Sequence, residues 1–207
     1  MSAPVPALVV MGVSGCGKSE LGRGVAGRYG AAFIEADEFH PAENVDKMRR
    51  GVPLDDADRA GWLGLLADKL RDASTRGEPA VMACSALKAR YRDQLRAAAP
   101  GLRFVFLALS RDAAAERVAN RPGHYMPPSL VDSQFAALEP PCGEPGVLTV
   151  DATAQREALD PERRVSIVHL NPVFDAEHYA PRTIGDAIPA VGLRDAEDLL
   201  TMLGFAR

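Results

Sequence analysis

Cysteine is scarce in this chain. The three present, Cys16, Cys84 and Cys142, are an odd number and stand at no metal-ligand spacing. That excludes a disulfide-stapled secreted scaffold and a cysteine zinc site, and it reads as reduced thiols in a cytoplasmic protein. Long apolar runs are missing as well. None approaches the roughly 18 residues of a membrane span, so no membrane partner is expected. Basic charge is not in excess: 24 Lys and Arg stand against 28 Asp and Glu, for a net charge of −4. With a pI near 5.6, this argues against nucleic acid as the main partner. The opening Met1-Ser2-Ala3-Pro4 lacks a basic n-region, and the apolar run behind it ends in a glycine-rich loop, so it does not read as a signal peptide. Repeats and low-complexity tracts are absent. A chain of 207 residues predicts one domain with enough length for a proper core.

What is present starts with Gly12-Val13-Ser14-Gly15-Cys16-Gly17-Lys18-Ser19. It has the form G-x-x-x-x-G-K-S, a phosphate-binding P-loop. Ahead of it Ala7-Leu8-Val9-Val10-Met11 is a short buried strand. Behind it Leu21, Val25 and Tyr29 recur every fourth residue, as on one helix face. The glycines let the loop curl so that backbone N–H groups point at phosphate oxygens, and the helix N-terminus adds its own. Lys18 is placed to reach the β- and γ-phosphates of ATP, and the Ser19 hydroxyl to hold Mg²⁺. Cys16 lies inside the loop, where positive potential lowers a thiol pKa; the plainer reading is a small filler residue.

The rest of the chain alternates strands and helices. A second strand, Ala32–Glu35, runs into Ala36-Asp37-Glu38-Phe39-His40-Pro41. Ligands in open α/β sheets bind beyond the carboxyl ends of strands, which puts Asp37 and His40 on the rim that carries the P-loop. A short helix around Asn44–Arg50 is closed by Gly51 and Pro53. The acidic stretch Leu54–Arg59 caps a helix with apolar Trp62, Leu63, Leu66 and Leu70. Strand three, Ala80–Cys84, leads to Ser85-Ala86-Leu87-Lys88 and a helix whose Lys88, Arg92 and Arg96 share one face. Solvated charge suits Arg96, whereas Lys88 and Arg92 lie closer to the rim. Strand four is Arg103–Leu109. The next helix starts at Ser110-Arg111-Asp112 and carries Arg117 and Arg121 one turn apart. From there to Pro140-Pro141 the chain reads as a lid, about residues 117–140, that excludes water from phosphoryl transfer. Gly146–Asp151 is strand five. The expected class is α/β: a three-layer fold with a five-stranded parallel sheet, helices on both faces, a P-loop and a lid.

Several segments together resemble gluconokinase. They are the P-loop from Met11 to Ser19, Asp37-x-x-His40-Pro41, Asn44-x-x-Lys47-Met48, and Gly51-x-Pro53-Leu54-x-Asp56-x-Asp58-Arg59-x-x-Trp62-Leu63. Cys84-Ser85-Ala86-Leu87-Lys88-x-x-Tyr91-Arg92-Asp93-x-Leu95-Arg96 and Gly123-His124-Tyr125-Met126-x-x-x-Leu130-Val131-x-Ser133-Gln134-Phe135 complete the set. The likeness runs from about Leu8 to Thr153. It implies ATP-dependent phosphorylation of D-gluconate at its C6 hydroxyl, a nucleoside-monophosphate-kinase-like sheet within the shikimate kinase-like group, and often a homodimer. A shikimate kinase-like enzyme and a non-catalytic nucleotide switch are the rival readings. The Ser-Ala-Leu-Lys and Gly-His-Tyr segments argue against the first, and acceptor-dependent ATP turnover would exclude the second.

Charge chemistry distributes the roles. Lys18, Arg117 and Arg121, with Mg²⁺ on Ser19, supply positive charge around the γ-phosphate. The gluconate carboxylate calls for Arg or Lys, and Arg49, Lys88 and Arg92 are the candidates. Its hydroxyls call for Asp37, His40 and Gln134. Asp37 is the choice to orient the acceptor hydroxyl, to act as its base, or to hold a water on Mg²⁺. Residues 1–155 form the expected kinase domain. The Pro-rich stretch from Asn171 to Pro189 and a short helix near Asp195–Gly204 belong to a C-terminal extension, 156–207. The gluconokinase pattern does not include it; dimer contact and packing over the nucleotide site are its functional options.

Overall fold

The computed structural model describes residues 7–120 and 128–152. The C-terminal extension, Arg121 and the Gly123–Met126 segment fall outside the described residues. Five parallel strands form one sheet: β1 (Ala7–Met11), β2 (Ala32–Glu35), β3 (Ala80–Ala83), β4 (Arg103–Ala108) and β5 (Val147–Asp151), in the order β2-β3-β1-β4-β5. Every strand predicted from the sequence is present, to within a residue or so at its ends.

The central strands are apolar on both sides because both faces are covered. Val9, Met11, Met82, Phe104 and Phe106 face one layer, and Leu8, Val10, Val81, Val105 and Leu107 face the other. The first layer holds α3 (Asp56–Arg76) and α4 (Ala89–Ala98). The second holds α1 (Lys18–Tyr29), α5 (Arg111–Ala119) and α6 (Pro128–Ala137). The short α2 (Ala42–Arg49) follows a 3-10 turn over Ala36–Phe39.

Local chemistry sets the helix ends. Asp55 and Asp58 form a reciprocal capping box at the start of α3, and its buried face is Trp62, Leu63, Leu66 and Leu70, as the spacing predicts. Asn44 and Lys47 of α2 reach back to the Asp58 carbonyl and carboxylate, pinning α2 to that cap. Ser110 caps α5 by accepting the Ala113 N–H. In α1 the buried residues are Gly22, Val25 and Ala26 rather than the Leu21–Val25–Tyr29 row. The helix lies so close to β2 that a Cβ on Gly22 would sit 2.8 Å from the Phe33 ring. The small residues therefore take the innermost row, and Leu21 and Tyr29 flank it half-buried.

Strand order decides what shares the rim. β3 lies between β1 and β2, so the turn after β3 sits between the P-loop and the Asp37 segment.

Candidate active site

The P-loop follows directly from β1, all five of whose residues are buried. Gly12 has φ 140°, and a Cβ there would meet the Leu107 carbonyl oxygen at 2.7 Å. Only glycine fits where the loop brushes β4. Gly17, at φ 96°, is the N-cap of α1 and gives that helix no side-chain cap. The first-turn N–H groups are thereby left available to an anion. The Lys18 ammonium donates to the Val13 carbonyl at 3.0 Å, folded along its own loop. Cys16 is fully buried, and burial raises its thiol pKa against the opposing pull of Lys18 and Arg117. It is the filler residue of the loop, not an activated thiol.

On the acceptor side, Asp37 is exposed in the 3-10 turn beyond β2. Its carbonyl accepts the His40 backbone N–H at 3.5 Å. The His40 ring stacks on Trp62 with centroids 4.2 Å apart and planes 12° from parallel. Trp62 in turn donates its indole N–H to the Ala36 carbonyl at 2.8 Å, which fixes the stack under the turn. Burial lowers the His40 pKa, so the ring is neutral at pH 7; its Nδ1 is buried without a partner among the described residues. Cys84, at the end of β3, feels the charges of both Asp37 and Lys18 and is pushed up to about 12, chiefly by burial. The charges of Lys18 and Asp37 thus both reach the end of β3.

Lys88, at the N-cap of α4, donates to both oxygens of Asp56 at 3.0 and 3.1 Å, and Arg90 and the Tyr91 hydroxyl converge on the same carboxylate. Hydrogen bonds from Tyr91, Lys88 and Arg90 hold the Asp56 carboxyl far below the usual carboxylate range. With the Glu139 carboxylate on the Ala89 N–H at 2.6 Å, two cations and two carboxylates meet at this corner. Arg49 is on α2, its side chain 77% exposed, beside Asp46 at 3.7 Å.

Arg92 requires a correction. Charge chemistry offered it as a carboxylate anchor, but its side chain has no exposed surface. Its guanidinium donates to the carbonyls of Ala86 and Leu87 at 3.0 Å each, to the Glu139 carbonyl at 3.1 Å, and to the Glu144 carboxylate. With its donors committed and its surface covered, it has none to offer a substrate. Arg96 is corrected too: it is not a solvated charge. It bonds Glu144 at 2.7 Å and Asp93 at 2.9 Å and lies over the Phe104 ring. Burial alone would push the Glu144 carboxyl up; hydrogen bonds from Arg92 and Arg96 more than offset this and hold it below the usual range.

Two residues of the expected lid, Arg117 and Gln134, lie against the P-loop. Arg117 on α5 donates to the Gly15 carbonyl at 3.5 Å and to the Ala152 carbonyl at 2.8 Å. Gln134 on α6 accepts the Ser14 N–H at 2.7 Å and donates to the Ser14 hydroxyl at 2.9 Å. These bonds hold it against the phosphate loop. The side chains that could serve Mg²⁺ are the Ser19 hydroxyl in the first turn of α1 and, through a water, the exposed Asp37 carboxylate beyond β2. No cluster of three or more His, Cys, Asp or Glu suited to a metal occurs among the described residues. A single hydroxyl and a carboxylate suit Mg²⁺, which keeps waters and takes phosphate oxygens for the rest of its shell. Among the described residues, no helix is long and apolar enough to cross a membrane.

Sequence reasoning gave no role of its own to Asp56, which it placed in a helix cap and in the gluconokinase-like pattern, and did not single out Glu144. A basic residue one helical turn inside a buried face, as Arg92 is, was the available signal that a carboxylate must meet it.

The chain matches the family model described as an AAA domain over residues 8–141. It is 49% identical over 143 residues to the gluconokinase of Gluconobacter oxydans (strain 621H), covering 69% of this chain and 80% of that one. It is 42% identical over 144 residues to the thermosensitive gluconokinase of Escherichia coli (strain K12), covering 69% and 77%. Among solved structures, a gluconokinase from Sinorhizobium meliloti 1021 superposes with a TM-score of 0.66 at 47% identity, over 73% of this chain and 85% of that one. A sugar kinase from Janibacter sp. HTCC2649 gives 0.71 at 41% identity, over 75% and 90%. The P-loop, the Asp37 turn and the Ser85–Lys88 turn on one rim, carried on a sheet and a sequence alike to these enzymes, make the chain a P-loop kinase of the gluconokinase family.

Proposed function

We propose that this chain transfers the γ-phosphoryl group of ATP to the C6 hydroxyl of D-gluconate, giving 6-phospho-D-gluconate. The observation that carries the reading is the strand order. With β3 between β1 and β2, the turns that carry Lys88 and Asp37 follow the two strands on one side of the P-loop strand, in a chain 49% identical to a gluconokinase. Phosphoryl transfer needs positioning and charge neutralisation more than covalent chemistry.

In this reading the P-loop amides and Lys18 bind the phosphates, and Arg117 and Arg121 approach the γ-phosphate from the lid. Ser19 holds Mg²⁺, which when bound neutralises charge on the phosphate oxygens. Asp37 orients the acceptor hydroxyl, and His40 in the same turn is the second candidate for a hydroxyl of the substrate. The carboxylate sits at the opposite end of gluconate from C6, so its anchor belongs away from the γ-phosphate. With Arg92 committed elsewhere, Lys88 and Arg49 are the remaining candidates.

Free thiols at Cys16, Cys84 and Cys142 support a cytoplasmic setting, and the family resemblance supports a homodimer, which light scattering tests.

A coupled ADP-release assay on gluconate, related sugar acids, shikimate and no acceptor tests the function. ADP release should require both gluconate and Mg²⁺, and carbon NMR should show the product phosphorylated at C6. Turnover without an acceptor, or a preference for shikimate, would overturn the reading.

A further inference from the structure

Arg92 heads the fully buried side chains by size. What it holds is specific. Two of its partners are the carbonyls of Ala86 and Leu87, in the turn after β3; a third is the carbonyl of Glu139, just beyond α6; the Glu144 carboxylate closes the set. The turn is strained, for Ala86 has φ 43°, a left-handed conformation that residues with a Cβ rarely adopt. It is also stitched to both neighbours. The Gly12 N–H at the start of the P-loop donates to the Ser85 carbonyl at 3.3 Å, and the Glu139 N–H donates to the Leu87 carbonyl at 2.9 Å. The Glu139 carboxylate accepts the Ala89 N–H at 2.6 Å, opening α4.

A buried ion pair is a poor device for stability alone, because apolar packing of equal volume does as well or better. A planar guanidinium fork is a good device for fixing several acceptors in one geometry. Three main-chain carbonyls from two segments are gathered here, and one of those segments ends in Lys88.

We propose that Arg92 is a positioning residue for the acceptor site: clamped by Glu144, it locks the Ser85–Lys88 turn in its strained form and so fixes Lys88 on the rim between the P-loop and Asp37. The inference rests on the reading that this rim receives the acceptor. It gives Arg92 influence over the acceptor without contact.

The test uses Arg92→Lys, which keeps a charge for Glu144 but loses the fork, and Glu144→Gln, which keeps the shape but loosens the clamp. In each, the KM for gluconate should rise by about one to two orders of magnitude, the penalty of an ångström-scale misplacement. The KM for ATP should stay near that of the parent. Ala86→Gly added to Arg92→Lys should recover part of the gluconate KM, because glycine takes positive φ without strain. Hydrogen exchange should quicken at the Gly12, Ala89 and Glu139 amides.

A purely structural role would lower the active fraction, and with it kcat, while both KM values and those amides held steady; that result would overturn the proposal. If Arg92→Lys does not fold, Glu144→Gln decides on the same readouts, and loss of the fold in both counts against it. If the parent chain fails to use gluconate, the functional reading falls. The exchange measurement, which needs no acceptor, still judges the positioning.

Discussion

Gln134 and Ser14, 120 residues apart, exchange two hydrogen bonds: the Ser14 N–H donates to Oε1 at 2.7 Å, and Nε2 donates to the Ser14 hydroxyl at 2.9 Å. The pair docks α6 onto the phosphate loop. Gln134→Ala removes both bonds, each worth about 1 kcal/mol net. Phosphoryl transfer should fall about tenfold in kcat, with the gluconate KM little changed. Steady-state kinetics with each substrate varied in turn checks this. A rise confined to the gluconate KM would return Gln134 to the acceptor pocket.

Lys18→Ala should abolish most of the transfer. The ammonium donates here only to the Val13 carbonyl, a half-exposed contact whose loss leaves the fold intact. At the phosphates it is the loop's one mobile cation, and electrostatic groups of this kind are worth roughly 3–4 kcal/mol in the transition state. The expected outcome is a thermal midpoint near the parent's with kcat down by two to three orders of magnitude, about what that energy implies. Near-normal turnover would overturn the P-loop assignment.

Much of the fold was legible because its signals are local. Five apolar runs, the G-x-x-x-x-G-K-S spacing and the Trp62–Leu63–Leu66–Leu70 face each declare themselves within a few residues. The phosphate side of the site was legible for the same reason. The acceptor side was less so. Arg92 and Glu144 meet across 52 residues, and no periodicity in either segment points to the other. Lys88, Arg92 and Arg96 share a helical face, but the spacing cannot say which of them is covered by the chain that returns after α6. Asp56 lies six residues before Trp62, where the apolar pattern of α3 begins, and looks like one more capping acid, although it gathers Lys88, Arg90 and Tyr91. Gly22 shows the same limit within the fold: close approach to Phe33, not apolarity, set the buried row of α1.

Stability should depend on pH through His40. Burial lowers its pKa from 6.5 in the folded chain. Below about pH 6.5 the unfolded chain takes up a proton that the folded chain does not, so stability falls as the pH drops from there to the folded-state value. Above that window His40 is neutral in both states and contributes no slope. His40→Phe keeps a ring to stack on Trp62 and removes the titration. Urea unfolding at a series of pH values should show a shallower loss below pH 6.5 in the variant. An unchanged slope would mean that the loss arises at other groups.

The acceptor end is decided by comparing Lys88, Arg49 and Asp37. The Lys88 side chain is 23% exposed and held by Asp56 at 3.0 Å, whereas that of Arg49 is 77% exposed and pairs loosely with Asp46. A half-buried cation at the rim interacts with a carboxylate through less screening water than an exposed one. Lys88→Ala should therefore raise the gluconate KM at least tenfold, given that a hydrogen bond to a charged group contributes about 1.5–3 kcal/mol. Arg49→Ala should raise it by less. Neither should alter ATP affinity, because the P-loop does not depend on them. Asp37→Asn should behave differently: it preserves shape but loses the charge that orients the hydroxyl, so kcat falls while gluconate still binds. Isothermal calorimetry on the three variants separates binding from turnover. If Arg49→Ala abolished gluconate binding while Lys88→Ala left it intact, the anchor would lie on α2, and Lys88 would have no part in holding the substrate.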